Sequence, residues 1–194
     1  MAETLLIADG SVTFENYDYF SARFELDTPT IMLSEDDRYV FPINNMLGHV
    51  SGYIVREPVW SGIECPRKGT GSGPKAVTYM HADSPTQSWY RTDSRLGGFK
   101  KLVLVEDMLS AMKVAQNGVD SVALLGTQLD ARKVREISQY RPSEVIIALD
   151  EDATDQAFKL AKKWGLAFPK VRVAILEQDI KDTDNEDVAE VLGL

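Results

Sequence analysis

Four short apolar runs in the second half of the chain alternate with stretches of helical pattern, and this alternation constrains the fold more than any other feature. LVLVE (102–106) is a strand-type run, followed by a helix-like stretch from Met108 to Gln116 that Asn117-Gly118 ends. SVALLG (121–126) is a second strand, closed by Gly126, and a charged amphipathic helix over about 130–139 stops before Pro142. EVIIALD (144–150) is a third strand, with a helix over 153–164 and then Gly165. VRVAIL (171–176) is a fourth, and 187–192 has the pattern of a last short helix. Apolar strands separated by helices bury both faces of a mostly parallel sheet, joined by right-handed βαβ connections. The second half is therefore α/β.

The first half reads differently. Short alternating stretches such as ARFEL, IMLS, RYVFPI and HVSGYIVR are separated by turn signals, and YVFPI with HVSGYIVR has the pattern of an antiparallel hairpin. A Gly/Pro-rich loop, KGTGSGPK (68–75), and the run AVTYM follow, and Gly97-Gly98 marks the expected joint. The reading is a small mixed, β-rich subdomain over 1–98 before an α/β domain over 99–194. At 194 residues and 44% apolar, the chain can bury a real core. No run approaches the ~20 apolar residues of a membrane span, and MAETLLIADG lacks a basic n-region, so a cytoplasmic protein without a membrane partner is expected. One cysteine, Cys65, and two histidines, His49 and His81, fall short of a zinc module, so no zinc is expected.

A net charge of −9 at first argues against a nucleic-acid partner. The charge is uneven, however. Residues 1–55 carry 2 basic and 9 acidic side chains, residues 56–101 carry 8 basic and 4 acidic, and residues 102–194 carry 11 basic and 17 acidic. One basic segment lies between two acidic ones.

Acidic residues stand at the ends of the predicted parallel strands: Glu106 after LVLV, and Asp150 and Asp152 after VIIAL. Ligands of open α/β sheets bind outside the carboxyl ends of the strands. Two carboxylates in Asp-x-Asp spacing point the same way, and Glu106 from a neighbouring strand adds a third hard oxygen donor, a set that suits Mg²⁺. The same acids are equally able to cap the following helix, Asp152 in particular.

Taken in order, LVLVED (102–107), ALLGTQL (123–129), VIIALDEDATDQA (145–157) and QDIKDTDNED (178–187) resemble the Toprim domain shared by primases, topoisomerases and some nucleases. Upstream, FPINNMLGHVSGYIVR (41–56), GPKAVTYMHADSP (73–85) and WYR (89–91) are similar to the subdomain that precedes Toprim in bacterial and phage replicative primases. Pro42, Ile43, Gly48, Val50, Gly52, Tyr53 and Arg56 fit the hairpin pattern of that family, and Pro74, Lys75, Ser84 and Pro85 its second motif. Topoisomerases and Toprim nucleases lack this element, so the resemblance favours primase.

The resemblance implies metal-dependent synthesis of short RNA primers on single-stranded DNA from NTPs. Glu106, Asp150 and Asp152 would be catalytic and would hold Mg²⁺, or Mn²⁺ in its place, with Asp182 of the late acidic loop as a further ligand and Asp184 a looser match. Arg56 and Lys75 would face the metal across a cleft, and Arg67, Lys68, Arg91 and Arg95 would extend a basic track for nucleotide and template. It also implies a bare, phage-encoded catalytic core that works with a replicative helicase and a separate zinc-module or template-selecting protein. Three positions depart from the family pattern: Asp107 follows Glu106 in place of Gly, Ser110 replaces a second acid, and Asp155 replaces a Gly. The change at 110 leaves one carboxylate fewer near the metals.

Two other classes remain open: a Mg²⁺-dependent Toprim nuclease, and a non-catalytic nucleic-acid-binding or regulatory protein on the same fold, favoured by Ser110 and Asp107. KGTGSGPK lacks the Gly-x-x-x-x-Gly-Lys-Ser/Thr spacing of a P-loop and reads as a flexible loop. His49, His81 and Cys65 have no partner at metal or nucleophile spacing, and Trp60, Trp89 and Tyr90 suit half-buried packing as well as base stacking.

Overall fold

The computed structural model describes residues 25–26, 32–33, 39–44, 50–56, 76–80, 90–91 and 100–194. The Gly/Pro-rich loop 68–75, Gly97-Gly98, Cys65, His49, His81, Trp60 and Trp89 lie outside the described residues.

Strands β1 (Met32–Leu33), β2 (Tyr39–Asn44), β3 (Val50–Arg56) and β4 (Ala76–Met80) form an antiparallel sheet in sequence order. The expected hairpin is β2–β3, with Phe41 opposite Ile54 and Ile43 opposite Gly52. The register then slips, so that Asn44 lies opposite Val50, and the Ser51 hydroxyl donates to the Ile43 carbonyl at 3.2 Å across this bulge. The glycine of the hairpin motif has a steric reason. A Cβ at Gly52 would overlap the Tyr79 carbonyl and stand 2.9 Å from Met80 Sδ on β4.

A second sheet runs in the order β5-β7-β6-β8-β9, from β5 (Tyr90–Arg91), β6 (Lys101–Val105), β7 (Asp120–Ala123), β8 (Glu144–Ile147) and β9 (Val171–Val173). β6, β7, β8 and β9 are parallel, and β5 lies antiparallel on β7. Helices α1 (Met108–Gln116), α2 (Ala131–Gln139), α3 (Thr154–Trp164) and α4 (Asn185–Leu192) join and cover them. The expected α/β order is thus present, with a parallel sheet flanked by helices behind a β-rich element.

Alternation along the central strand shows why the run LVLV has no polar face. Leu102 and Leu104 pack with Val134, Ile137 and Leu160 of α2 and α3, whereas Val103 and Val105 pack with Leu109, Met112 and Val188 of α1 and α4. All four are fully buried, each worth roughly 1.5–3 kcal/mol relative to exposure. Phe41, Ile43 and Ile54 of the antiparallel sheet belong to the same cluster as Val103 and Val105, so the two sheets share a core. The strand at 90–91 also hydrogen-bonds β7 across the expected joint.

The strands end sooner than the apolar runs do. After β7, Leu125 (φ 55°) and Gly126 (φ 130°) take left-handed conformations that turn the chain out of the sheet. A few ladder bonds continue past the strand ends: Leu124 N–H to Val105 O at 2.9 Å, Gly126 N–H to Glu106 O at 3.3 Å and Ala148 N–H to Leu104 O at 2.8 Å. These bonds hold the segment carrying Glu106 beside the segments that follow β7 and β8.

Candidate active site

Glu106 and Asp107 leave the end of β6. Asp107 Oδ1 accepts from Leu109 N–H at 2.8 Å and Ser110 N–H at 3.0 Å, which caps α1. Asp150 leaves β8 just before a 3₁₀ turn at Glu151–Ala153, and its side chain makes no capping bond. α3 also starts without a side-chain cap, at Ala153, so Asp152 does not cap it. The capping alternative for the Asp-x-Asp pair is set aside in this structure.

The acidic loop returns to the same place. Ile180 is buried in the core and anchors a 3₁₀ turn, Ile180–Asp182, in front of α4. Asp179 and Lys181 flank it. The Lys181 ammonium meets Asp107 Oδ2 at 3.1 Å and Asp150 Oδ2 at 3.2 Å, and also bonds Asp179 Oδ2. One cation therefore bridges three carboxylates from three segments. Asp182, expected as a ligand, is exposed and does not line this place; Asp179 stands there instead.

Electrostatics show that negative charge is in excess. Burial pushes the Asp150 carboxyl up to about 7; Lys181 opposes this, and Asp107, Asp179 and Glu106 add to it. Glu106 is also raised, first by burial and then by the charges of Asp152 and Asp107. Asp179 is held below the ordinary carboxylate range because hydrogen bonding to Lys181 and to the Glu151 backbone outweighs its burial. Burial pulls Lys181 down, but Asp107, Asp179 and Asp150 outweigh it and raise its pKa well above the usual lysine range. Carboxylates that strain toward protonation beside a single ammonium have room for more positive charge.

These residues line a cleft of about 420 Å³ between the two sheets. Glu106, Asp107, Asp150, Asp179 and Lys181 form one wall with Met108, Leu125 and Gly126; Ile54, Arg56, Ala76 and Thr78 form the other. Arg56, the last residue of β3, is itself buried. Strand geometry thus brings a guanidinium, expected from its motif position, to the cleft that holds the acids. Asp152 is exposed but close enough to raise Glu106. Lys75, Arg67, Lys68 and Arg95 lie outside the described residues, and Arg91 is described only as a backbone position of β5, paired with Val122.

By donor chemistry the cluster fits a divalent cation, since it offers hard oxygens in excess of cationic side chains. Among the described residues no three Asp, Glu, His or Cys side chains are grouped as metal ligands. The Lys181 ammonium stands between three of the candidate donors.

Residues 103–191 match the Toprim-like family model. The Toprim-like region thus contains β6 from its third residue to most of α4, with every acid of the cluster inside it. Solved structures extend the likeness to the upstream sheet. The zinc-binding and RNA polymerase domains of the Aquifex aeolicus primase superpose with a TM-score of 0.56 at 21% identity, covering 89% of this chain and 44% of that one. A DnaG primase catalytic domain bound to single-stranded DNA gives 0.58 at 18%, covering 91% and 62%. The RNA polymerase domain of Mycobacterium tuberculosis DnaG gives 0.60 at 19%, covering 84% and 59%. The fold is that of primase catalytic cores, and this chain spans between 44% and 62% of these structures. No curated protein matches the sequence. Among the described residues no helix is long and apolar enough to cross a membrane.

Two participants, Asp179 and Lys181, were not singled out from sequence, and Asp107 was read there as a departure that favoured a non-catalytic protein. Asp107 proves to serve two partners. Asp179 was one acid among several in 178–187, and Lys181 was an unremarked neighbour. The signal available was Ile180, the apolar residue of QDIKD, which fixes which side of the turn is buried.

Proposed function

We propose that the chain is a primase-type nucleotidyltransferase core that makes short RNA primers on single-stranded DNA. The observation that carries this reading is the cleft itself: Arg56 of the upstream antiparallel sheet opposite Glu106 and Asp150 of the Toprim-like region. That pairing of elements is the one expected of primases and absent from Toprim nucleases and topoisomerases.

Glu106, Asp150 and Asp152 would hold Mg²⁺, or Mn²⁺ in its place, with Asp179 in the position expected of Asp182. The chemistry a bound divalent ion would supply there is neutralisation of triphosphate charge and acidification of an attacking 3′-hydroxyl. Arg56 holds the opposite side of the cleft, where a guanidinium grips phosphate oxygens in bidentate fashion. Lys75, Arg67, Lys68 and Arg91, the basic residues that the resemblance assigns to nucleotide and template, belong to the same proposal as phosphate-binding side chains, with NTPs entering between the two walls of the cleft. Asp107 fixes α1, and with it the segment bearing Glu106. In such transfers positioning and charge neutralisation dominate over covalent chemistry. A helicase and a separate template-selecting protein belong to the same proposal, as does action in the cytoplasm.

The test is incubation with single-stranded DNA, NTPs and Mg²⁺ or Mn²⁺, alongside Asp150→Asn. Primer synthesis that the substitution abolishes is the expected result. DNA cleavage in its place would assign the cleft to a nuclease, and neither activity would leave a binding protein.

A further inference from the structure

The ammonium of Lys181 occupies the point on which the carboxylates converge. Its three contacts are all to Oδ2 atoms, of Asp107, Asp150 and Asp179. Asp107 has no second oxygen to offer, because Oδ1 is engaged by the N–H groups of Leu109 and Ser110. A metal ion that takes Asp107, or takes Asp150 through Oδ2, must therefore contend with Lys181 for the same atoms. Two positive charges a few ångström apart in a part-buried cleft repel strongly. Glu106 and Asp152 make no ion pair with Lys181, so they remain available to an arriving ion.

The backbone beneath Lys181 is pinned. Thr183 N–H bonds Asp179 O at 3.1 Å, its hydroxyl bonds the same carbonyl at 3.2 Å, and Ile180 is buried. Lys113, itself buried, reaches the Lys181 carbonyl at 3.5 Å. These bonds, and not the Lys181 side chain, hold the turn, and the four-carbon stem of the lysine reaches the carboxylates from it.

We propose that Lys181 is the resident cation of the cleft, holding Asp107, Asp150 and Asp179 together until a divalent ion displaces it, so that Lys181 sets how weakly the site takes up metal. This rests on the reading of the cleft as a divalent-cation site. Lys181 is then a positioning residue that keeps the acids assembled in the metal-free protein.

The experiment measures Mn²⁺ affinity by electron paramagnetic resonance on the full chain at fixed ionic strength, for wild type, Lys181→Gln and Lys181→Arg. Lys181→Gln is expected to bind about tenfold more tightly or better, with Lys181→Arg close to wild type. A lysine that merely supported the fold would lose affinity when replaced, so equal or weaker binding by a folded Lys181→Gln overturns the inference while leaving the metal reading intact. Absence of Mn²⁺ binding in all three proteins overturns both. Should Lys181→Gln fail to fold, wild type alone decides. Acylation of the Lys181 amine, followed by mass spectrometry, is expected to rise on adding Mn²⁺, and unchanged labelling under saturating Mn²⁺ overturns the inference.

Discussion

Replacing Asp107 separates its two duties. Asp107→Ala removes the cap on α1, whose loss costs about 1 kcal/mol, within a range of ~0.5–2, and the contact with Lys181 as well. Asp107→Asn keeps an acceptor for Leu109 and Ser110 N–H but removes the charge. The Lys181 pair is part-buried, at 12% and 26% side-chain exposure, and alone would be worth up to about 1 kcal/mol. Lys181 keeps Asp150 and Asp179, however, and the Asp107 charge also raises Glu106 and Asp150 by repulsion. Attraction and repulsion therefore largely offset. Urea unfolding of the metal-free protein at pH 8 is expected to show Asp107→Asn within ~0.5 kcal/mol of wild type and Asp107→Ala lower by about 1–2 kcal/mol. The Asp150 titration, followed by carboxyl NMR, is expected to drop from about 7 in Asp107→Asn. An Asn variant as unstable as the Ala variant, with Asp150 unmoved, would refute the reasoning.

Three further outcomes follow from the same structure. Because Asp150 is raised to about 7, the folded metal-free protein keeps a proton that the unfolded chain loses near pH ~4. Its contribution to stability therefore falls as pH rises across that window. Mg²⁺ must displace this proton, so it is expected to raise Tm more at pH 8 than at pH 5; an equal shift would contradict the assignment. Glu144 pairs with Lys170 at 2.9 Å and Arg172 at 2.8 Å, and Arg172 also bonds the Leu192 and Gly193 carbonyls, tying β8, β9 and the end of α4 together. The Lys170 hydrogen bond, against burial and with Arg172, holds the Glu144 carboxyl below its ordinary range. Its stabilisation is thus complete above pH ~4.5 and lost as pH falls through the lowered folded value. Glu144→Gln should cost about 1–3 kcal/mol at pH 7 by urea unfolding, and less as the pH is lowered through that range. Gly52→Ala drives a Cβ into the Tyr79 carbonyl, so β3 and β4 must part. A loss of about 1–3 kcal/mol is expected, and an unchanged unfolding midpoint would show that the strands yield freely.

The parallel sheet was legible because its strands are buried on both faces and leave unbroken apolar runs such as LVLV and VII, with Asn117-Gly118 to end a helix. The strand limits were less so, since hydropathy continues past the end of β7 through Leu124 and into Leu125, where the backbone turns. Glu106, Asp150 and Arg56 were legible because each closes an apolar run, LVLV, VIIAL or YIV, that carries the chain to the edge of a sheet. The loop 178–187 has no such period. Its choice of Asp179 and Lys181 over Asp182 depends on the burial of Ile180 beneath α1 and α4, a tertiary contact that composition does not encode. The shared core of the two sheets was likewise invisible, because Phe41 and Ile43 show only that they are buried and not against which partner.

The central claim is that the cleft between Arg56 and the acids is where a divalent ion and a nucleotide meet. Anomalous diffraction from crystals grown with Mn²⁺ and an NTP tests it most directly. The account predicts a manganese peak among Glu106, Asp150 and their acidic neighbours, with the triphosphate reaching toward Arg56. A peak elsewhere, with nucleotide bound away from this cleft, would contradict it.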